Sequence, residues 1–267
     1  MGDLAPPAAC AAAFFAVGAL LLLPFARIGR LDDWSFLRLA LPAGLVYTVA
    51  YSQYVSALAR SEVSAVAPLS ALAGPFVVIL GRVIYREPLT VEKVAGVLLV
   101  AGGAAAVQGL GGRGGLSPVA AAQMAAYALL SAGTRMLDKA TALAAPGSSA
   151  AYAFTVFAIT AICQLGLLAW TGGLAPLGRL VRGHPGTVLT AGACNGGSFL
   201  LLLLALGSVP VSVAEPVTTL SLLVSAGIAS VWLHERIGAR LVPTLAVIAG
   251  TWLLVRAGGL LPWLPAR

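Results

Sequence analysis

Apolar residues lie along this chain in long runs, parted by short polar or Gly/Pro-rich joints. The alternation with period two that a half-buried strand needs is absent. Nine runs are long enough to be helices, at roughly 5–26, 36–59, 63–85, 90–110, 117–137, 149–171, 186–207, 211–233 and 239–258. The longest joints read "RIGRLDDWS", "GGRGG", "ALAAPGSS" and "LGRLVRGHPG", and none has room for a soluble domain. A spanning helix takes about 20 apolar residues, whereas a membrane barrel shows short alternating strands. The pattern predicts an all-α integral membrane protein with about nine transmembrane helices.

Composition agrees. Of the 267 residues 60% are hydrophobic and 9% charged, and the mean hydropathy is +0.97. A soluble domain carries roughly 25% charged residues, so these charges are too few to cover a water-facing surface. The net charge of +7 does not point to nucleic acid, because the basic residues stand singly at the ends of apolar runs, where membrane topology explains them. With the N-terminus outside, ten Lys and Arg fall on the cytoplasmic side and six outside, among the latter Arg179 and Arg182, which oppose the assignment. The expectation is a multi-pass protein of the plasma or inner membrane, N-terminus out and C-terminus in. The first run has no basic residue before it and is too long for a signal-peptide core, so it reads as a retained helix. "MGDLAP" lacks the Ser or Thr of a myristoylation signal, so no lipid anchor is expected. Cys10, Cys163 and Cys194 are far apart, with neither metal-ligand spacing nor a disulfide pattern. No metal and no cofactor is expected.

The chain repeats itself. A shift of 148 residues without gaps gives fourteen identities over 43–107, among them Ala43-Gly44 with Ala191-Gly192 and Val63-Ser64 with Val211-Ser212. Pro68 meets Pro216 and Glu87 meets Glu235, and these residue types are uncommon here, so they carry the repeat. Five spans separate the copies, and an odd number inverts the second in the membrane. The expected organisation is a first repeat of four helices, 1–110, and an inverted second repeat of five, 111–267. Inverted repeats are a frequent architecture of secondary transporters.

Two stretches, "SALARSEVSAVAPLSALAGPFVVILGRVIYREPLTVEKVAGVLLVAGG" and "LALGSVPVSVAEPVTTLSLLVSAGIASVWLHERIGARLVPTLAVIAG", carry a family pattern: a Ser/Ala-rich entry, a central Pro, a closing Glu and a Gly-containing helix, twice over. Together they resemble the drug/metabolite transporter superfamily, and within it the EamA-like transporters. The resemblance implies ten helices, five per half, and alternating access around a central cavity that the first helix helps to line. Nine runs leave that first helix as the one apparently absent.

Several residues could carry function. Tyr47, Tyr51 and Tyr54 recur at i, i+4 and i+7 and form one stripe, with Thr48, Ser52 and Ser56 beside it. The stripe is either a cavity wall that contacts substrate, or interhelical packing and interfacial anchoring. Asn195, between the glycines of "GACNGGSFL", aligns with Tyr47 and reads as a substrate contact or an interhelical hydrogen bond. Pro68 and Pro216 free a carbonyl within their helices and are candidate hinges. Ser70 and Thr218 stand close enough to re-bond that backbone or to contact substrate. Glu215 is an acid inside an apolar run, so it is a candidate for a proton or a cationic group, or else a first-turn acid favoured by the helix dipole. Glu87 and Glu235 close one helix just before the next begins and read as structural acceptors for free amide groups at the start of that next helix.

These observations point to a secondary transporter, an exporter of a small polar or amphipathic metabolite, with the lipid bilayer and that substrate as partners. A proton is the candidate coupling ion and a homodimer the candidate assembly. The alternative is a non-transporting membrane partner subunit, or a half that works only as an oligomer. A membrane enzyme lacks any supporting cluster, and no catalytic residue is expected. A nucleotide-driven pump would need a GxxxxGK[ST] loop, which the sequence lacks.

Overall fold

The computed structural model describes residues 7–26, 36–61, 66, 69–109, 117–212, 214 and 241–257, and every regular element among them is helical. In chain order these are α1 (Pro7–Leu22), α2 (Leu37–Arg60), α3 (Ala73–Tyr85), α4 (Val91–Gly109), α5 (Pro118–Ala144), α6 (Ser149–Thr171), α7 (Ala175–Gly183), α8 (Pro185–Leu206) and α9 (Leu241–Ala257). Eight of the nine apolar runs coincide with helices. The run 211–233 lies outside the described residues except for Val211, Ser212 and Ala214.

Three boundaries differ from the sequence reading. The fifth helix does not stop at 137 but continues to Ala144, carrying Asp138 and Lys139 inside it. Its last turns, "DKATALA", are rich in good helix formers, and both charges find tertiary partners, so they do not end the helix. The regular part of α3 begins at Ala73 rather than near 63, after tight turns in which Leu72 N–H bonds the Leu69 carbonyl and Gly74 N–H that of Ala71. The joint that contains Arg179 and Arg182 folds as the nine-residue α7, too short to cross a bilayer.

Contacts divide the chain into two compact units, each discontinuous in sequence. Unit 1 comprises residues 1–55 and 137–208, and unit 2 comprises 56–136 and 209–267. In unit 1, α1 packs against α6 and α8 around Phe15, Tyr152, Val156, Phe157 and Leu203. Helices approach closely where glycines allow it. A Cβ on Gly44 of α2 would lie 2.8 Å from the Ile159 side chain on α6, and one on Gly192 of α8 would lie 2.6 Å from Val17 on α1. In unit 2, α4 and α9 form the main crossing, with Val78, Val100, Val247 and Leu254 in its core.

Many large apolar side chains face outward, among them Val83, Leu98, Ile162 and Leu201, and Trp170 is 90% exposed. Among the described residues, Ser149–Thr171 and Pro185–Leu206 are long and apolar enough to cross a membrane. In lipid, helix association rests on close packing and interhelical hydrogen bonds rather than on hydrophobic burial. The small-residue contacts at Gly44 and Gly192 fit that regime.

Candidate functional site

The centre of unit 1 is a carboxylate. Asp138 is fully buried near the C-terminal end of α5. The Tyr152 hydroxyl, from α6, donates to Oδ1 at 2.8 Å. The Tyr47 hydroxyl, from α2, donates to Oδ2 at 3.1 Å. Three helices thus converge on one acid. A buried carboxylate is costly unless it is hydrogen-bonded, and two phenolic donors are the kind of partner it requires. The neighbouring Lys139 is buried too. Its ammonium donates to the Leu206 carbonyl at 2.6 Å, at the C-terminal end of α8, where free carbonyls and the helix dipole favour a cation.

From Tyr47 a chain of aromatic contacts runs through four helices. Tyr47 meets Phe199 of α8 edge-on at 5.5 Å, and Phe199 lies 5.2 Å from Phe157 of α6. Phe157 lies 4.9 Å from Phe15 of α1, which meets Tyr51 edge-on at 4.7 Å. Tyr54 extends the set at 5.7 Å from Tyr51. These are ordinary aromatic pair distances, and they fix the tyrosine stripe against α1 and α8.

Two amides sit on the same helices with hydrogen-bonding capacity unused. Asn195, one turn before Phe199, is half-buried, and its Nδ2 is buried without a partner. Gln164, seven residues after Phe157, is fully buried; its Nε2 donates to the Thr48 carbonyl at 3.0 Å and to the Ser52 hydroxyl at 2.8 Å, while its Oε1 has no partner. Thr160 adds a bond to the Gly44 carbonyl at 3.2 Å. The polar stripe beside the tyrosines is therefore the α2–α6 seam.

Unit 2 has its own polar cluster. Arg86 ends α3 in the left-handed region, at φ 55°, which turns the chain at Glu87. The Glu87 carboxylate accepts the amide hydrogens of Val211 at 3.0 Å and Ser212 at 3.3 Å. It thus meets the helix start at 211, not that of α4, which follows it in sequence. Lys93 is buried, donates to the Ser212 hydroxyl at 2.9 Å and lies 4.0 Å from the Glu87 carboxylate.

Of the residues singled out from sequence, Tyr47, Tyr51 and Asn195 lie on the two helices of unit 1 that also carry Phe199 and the polar seam. Ser70 is half-buried in unit 2, just before α3. Pro68, Glu215, Pro216, Thr218 and Glu235 lie outside the described residues. Sequence reasoning passed over Asp138, Tyr152, Gln164, Lys93 and Lys139. Both lysines had been counted as membrane-flanking charges; being buried, they leave eight against six rather than ten against six. Among the described residues no group of three or more His, Cys, Asp or Glu could hold a metal ion.

No curated protein matches the chain. Among solved structures, a crystal structure of a protein is similar over 96% of this chain and 89% of its own, with a TM-score of 0.66 and 18% identity, a likeness of fold alone. Residues 2–108, which include the first of the two Pro- and Glu-bearing segments, match the EamA-like transporter family, a family of multi-pass membrane transporters, and this is consistent with the drug/metabolite transporter superfamily.

Proposed function

We propose that the chain is a secondary transporter that exports a small polar or amphipathic metabolite by alternating access of two inverted repeats, 1–110 and 111–267. The observation that carries this reading is the interior of unit 1, where a buried acid, a chain of aromatic rings and two amides with unused capacity stand in a largely apolar helical bundle. Polar groups at membrane depth are costly and mark substrate and ion pathways. Buried groups left without a partner are places where a ligand can supply one.

The repeat has support in packing. Gly44 and Gly192 are repeat mates; the first seats α2 on α6 and the second seats α8 on α1, and the 148-residue shift superimposes α1 on α6. In unit 2, α4 and α9 are repeat mates that pack on each other. Reciprocal contacts of this kind are what a pseudo-two-fold axis produces. The reading takes all nine apolar runs as membrane spans, with the N-terminus outside and the C-terminus in the cytoplasm.

In this reading Tyr47, Tyr51 and Asn195 contact substrate. Ser70, Thr218 and Glu215 are separate candidates for substrate contact from their places in the sequence, Pro68 and Pro216 are hinges, and Glu87 and Glu235 hold helix starts. The test is purified protein in liposomes, assayed for flux of a panel of polar and amphipathic metabolites with and without a pH gradient. Flux of at least one compound above that of empty liposomes, reduced at least tenfold by Tyr51→Ala or Asn195→Leu in folded protein, is the expected result. No flux for any compound sinks the proposal.

A further inference from the structure

We infer that α7 lies in the membrane interface and that Arg179 and Arg182 bind the phosphate groups of anionic phospholipids there. That placement rests on reading α6 and α8 as membrane spans, and not on transport.

The joint between α6 and α8 opens and closes with breaks in helical geometry. Gly173 stands in the left-handed region at φ 74° just after α6 ends, and His184, at φ −137° and ψ 54°, separates α7 from α8. Between these breaks α7 packs against α1 and α8 and buries none of its residues fully. A helix of nine residues is about 13 Å long, well short of the hydrocarbon core, so it stays at the end of the spans it joins.

Its two sides differ. At about 100° per residue, Leu177, Leu180 and Val181 fall on one side and Arg179 and Arg182 on the other. Leu177 and Leu180 are half-buried, whereas Val181 and the preceding Leu174 are exposed. Both arginines are exposed, and among the described residues neither is held by a hydrogen bond or an ion pair. A helix with an exposed apolar edge and a basic face is the form that lies in a bilayer surface, with the apolar edge toward the acyl chains. Trp170, exposed just before the joint, marks the same level, since tryptophan collects where hydrocarbon meets headgroups.

Charge selects the partner. From Lys139 to Ala214 the sequence holds no Asp or Glu, so the joint carries its positive charge without an acid of its own. These arginines are also the two that oppose the N-out orientation, and headgroup phosphates supply a counter-charge on either face of the membrane. A guanidinium presents a planar fork of donors that matches phosphate. Residues three apart on a helix lie about 5–6 Å from one another, so the pair can hold one headgroup or two adjacent ones.

The test uses the full chain carrying Cys10→Ala, Cys163→Ala and Cys194→Ala, with a bimane label at Val181→Cys or Gly178→Cys. Vesicles are equimolar phosphatidylcholine and phosphatidylglycerol, with bromine, a fluorescence quencher, on the acyl chains of one lipid or the other. Quenching at 181 should exceed that at 178, which stands on the arginine side one turn before Arg182. Brominated phosphatidylglycerol should be preferred at 181 by at least about threefold, the order expected for basic side chains at an anionic surface. Arg179→Gln with Arg182→Gln should abolish the preference, and Arg179→Lys with Arg182→Lys should keep part of it. Salt at about 1 M should shrink it, because the screening length is then about 3 Å. A 181 label quenched by neither lipid overturns the proposal. A label on Cys194, in protein carrying Cys10→Ala and Cys163→Ala, then tells the two failures apart: quenched, α8 spans and α7 alone is misplaced; unquenched, the span reading falls as well. Equal quenching at 178 and 181 overturns the proposal, as does equal quenching by the two lipids, the result expected if an acid of this chain held the arginines. A preference that survives the glutamine pair overturns it too.

Discussion

Gly96 and Gly250 face each other across the α4–α9 crossing. A Cβ built on either would lie 2.7 Å from the backbone carbonyl oxygen of the other. The contact is backbone to backbone, so no flexible side chain can move aside, and the helices themselves have to part. In lipid this close approach is the source of the association, because the bilayer is as good a solvent for leucine as the protein interior.

Gly96→Ala and Gly250→Ala should therefore each destabilise unit 2, by roughly 1–3 kcal/mol, the usual cost of overpacking a close contact. Gly102→Ala, on the same helix with nothing within 4 Å of its added carbon, is the control and should be nearly neutral. Thermal unfolding in detergent followed by size exclusion reads the difference. Equal stability of all three variants would remove the close crossing.

How much of this was legible in the sequence depends on whether a feature is local. The tyrosine stripe was, because i, i+4, i+7 spacing is a property of one helix. Its meaning was not, because Asp138 stands 91 residues from Tyr47. Arg135, Asp138 and Lys139 read as the end of a span, since charges usually end one. What keeps α5 going is the Leu206 carbonyl, 67 residues from Lys139, and two phenols on other helices. The 148-residue shift carries α5 to positions before Met1, so the repeat comparison could not reach it either. One local signal was available: the apolar, helix-forming "ATALAA" that follows Lys139 argues that the helix continues past its charges.

Glu87 and Lys93 make a second prediction. Glu87→Ala removes the acceptor of two backbone N–H groups and leaves the buried Lys93 without its nearby carboxylate. A cost of roughly 3 kcal/mol is expected, as when one partner of a buried pair is lost. Lys93→Met in the same background removes the stranded charge, so the double variant should be more stable than Glu87→Ala alone. A double variant less stable than the single one would mean that Lys93 is held mainly by Ser212, which accepts from it at 2.9 Å.

Gln164 should matter less for stability than its two hydrogen bonds suggest. Gln164→Leu keeps the shape, removes both bonds to α2 and also removes the unpartnered Oε1. Interhelical hydrogen bonds in membranes average about 0.6 kcal/mol, so a loss below about 1 kcal/mol is expected. If that oxygen waits for substrate, flux falls at least tenfold while the unfolding temperature hardly moves. A large loss of stability with unchanged flux per folded molecule would make the residue purely structural.

The last prediction tests the bilayer itself. Cys194 is exposed on α8, beside a shallow groove lined by Gly186, Thr187, Thr190 and Ala191, and Leu189, Leu201 and Leu204 are exposed on the same helix. In water this thiol would be among the most reactive in the protein. In lipid a charged reagent does not reach it, because a charge does not enter the hydrocarbon, whereas an apolar reagent does. With Cys10 and Cys163 replaced by Ala, Cys194 should resist a charged, membrane-impermeant thiol reagent and accept a lipid-soluble maleimide. Gly178→Cys on α7 is the comparison. That helix is too short to span, Gly178 is exposed, and its added carbon meets nothing within 4 Å, so the charged reagent should label it readily in membranes opened to both faces. Equal labelling of both positions by the charged reagent would place the outer face of α8 in water, and the reading of α8 as a lipid-facing span would fall with it.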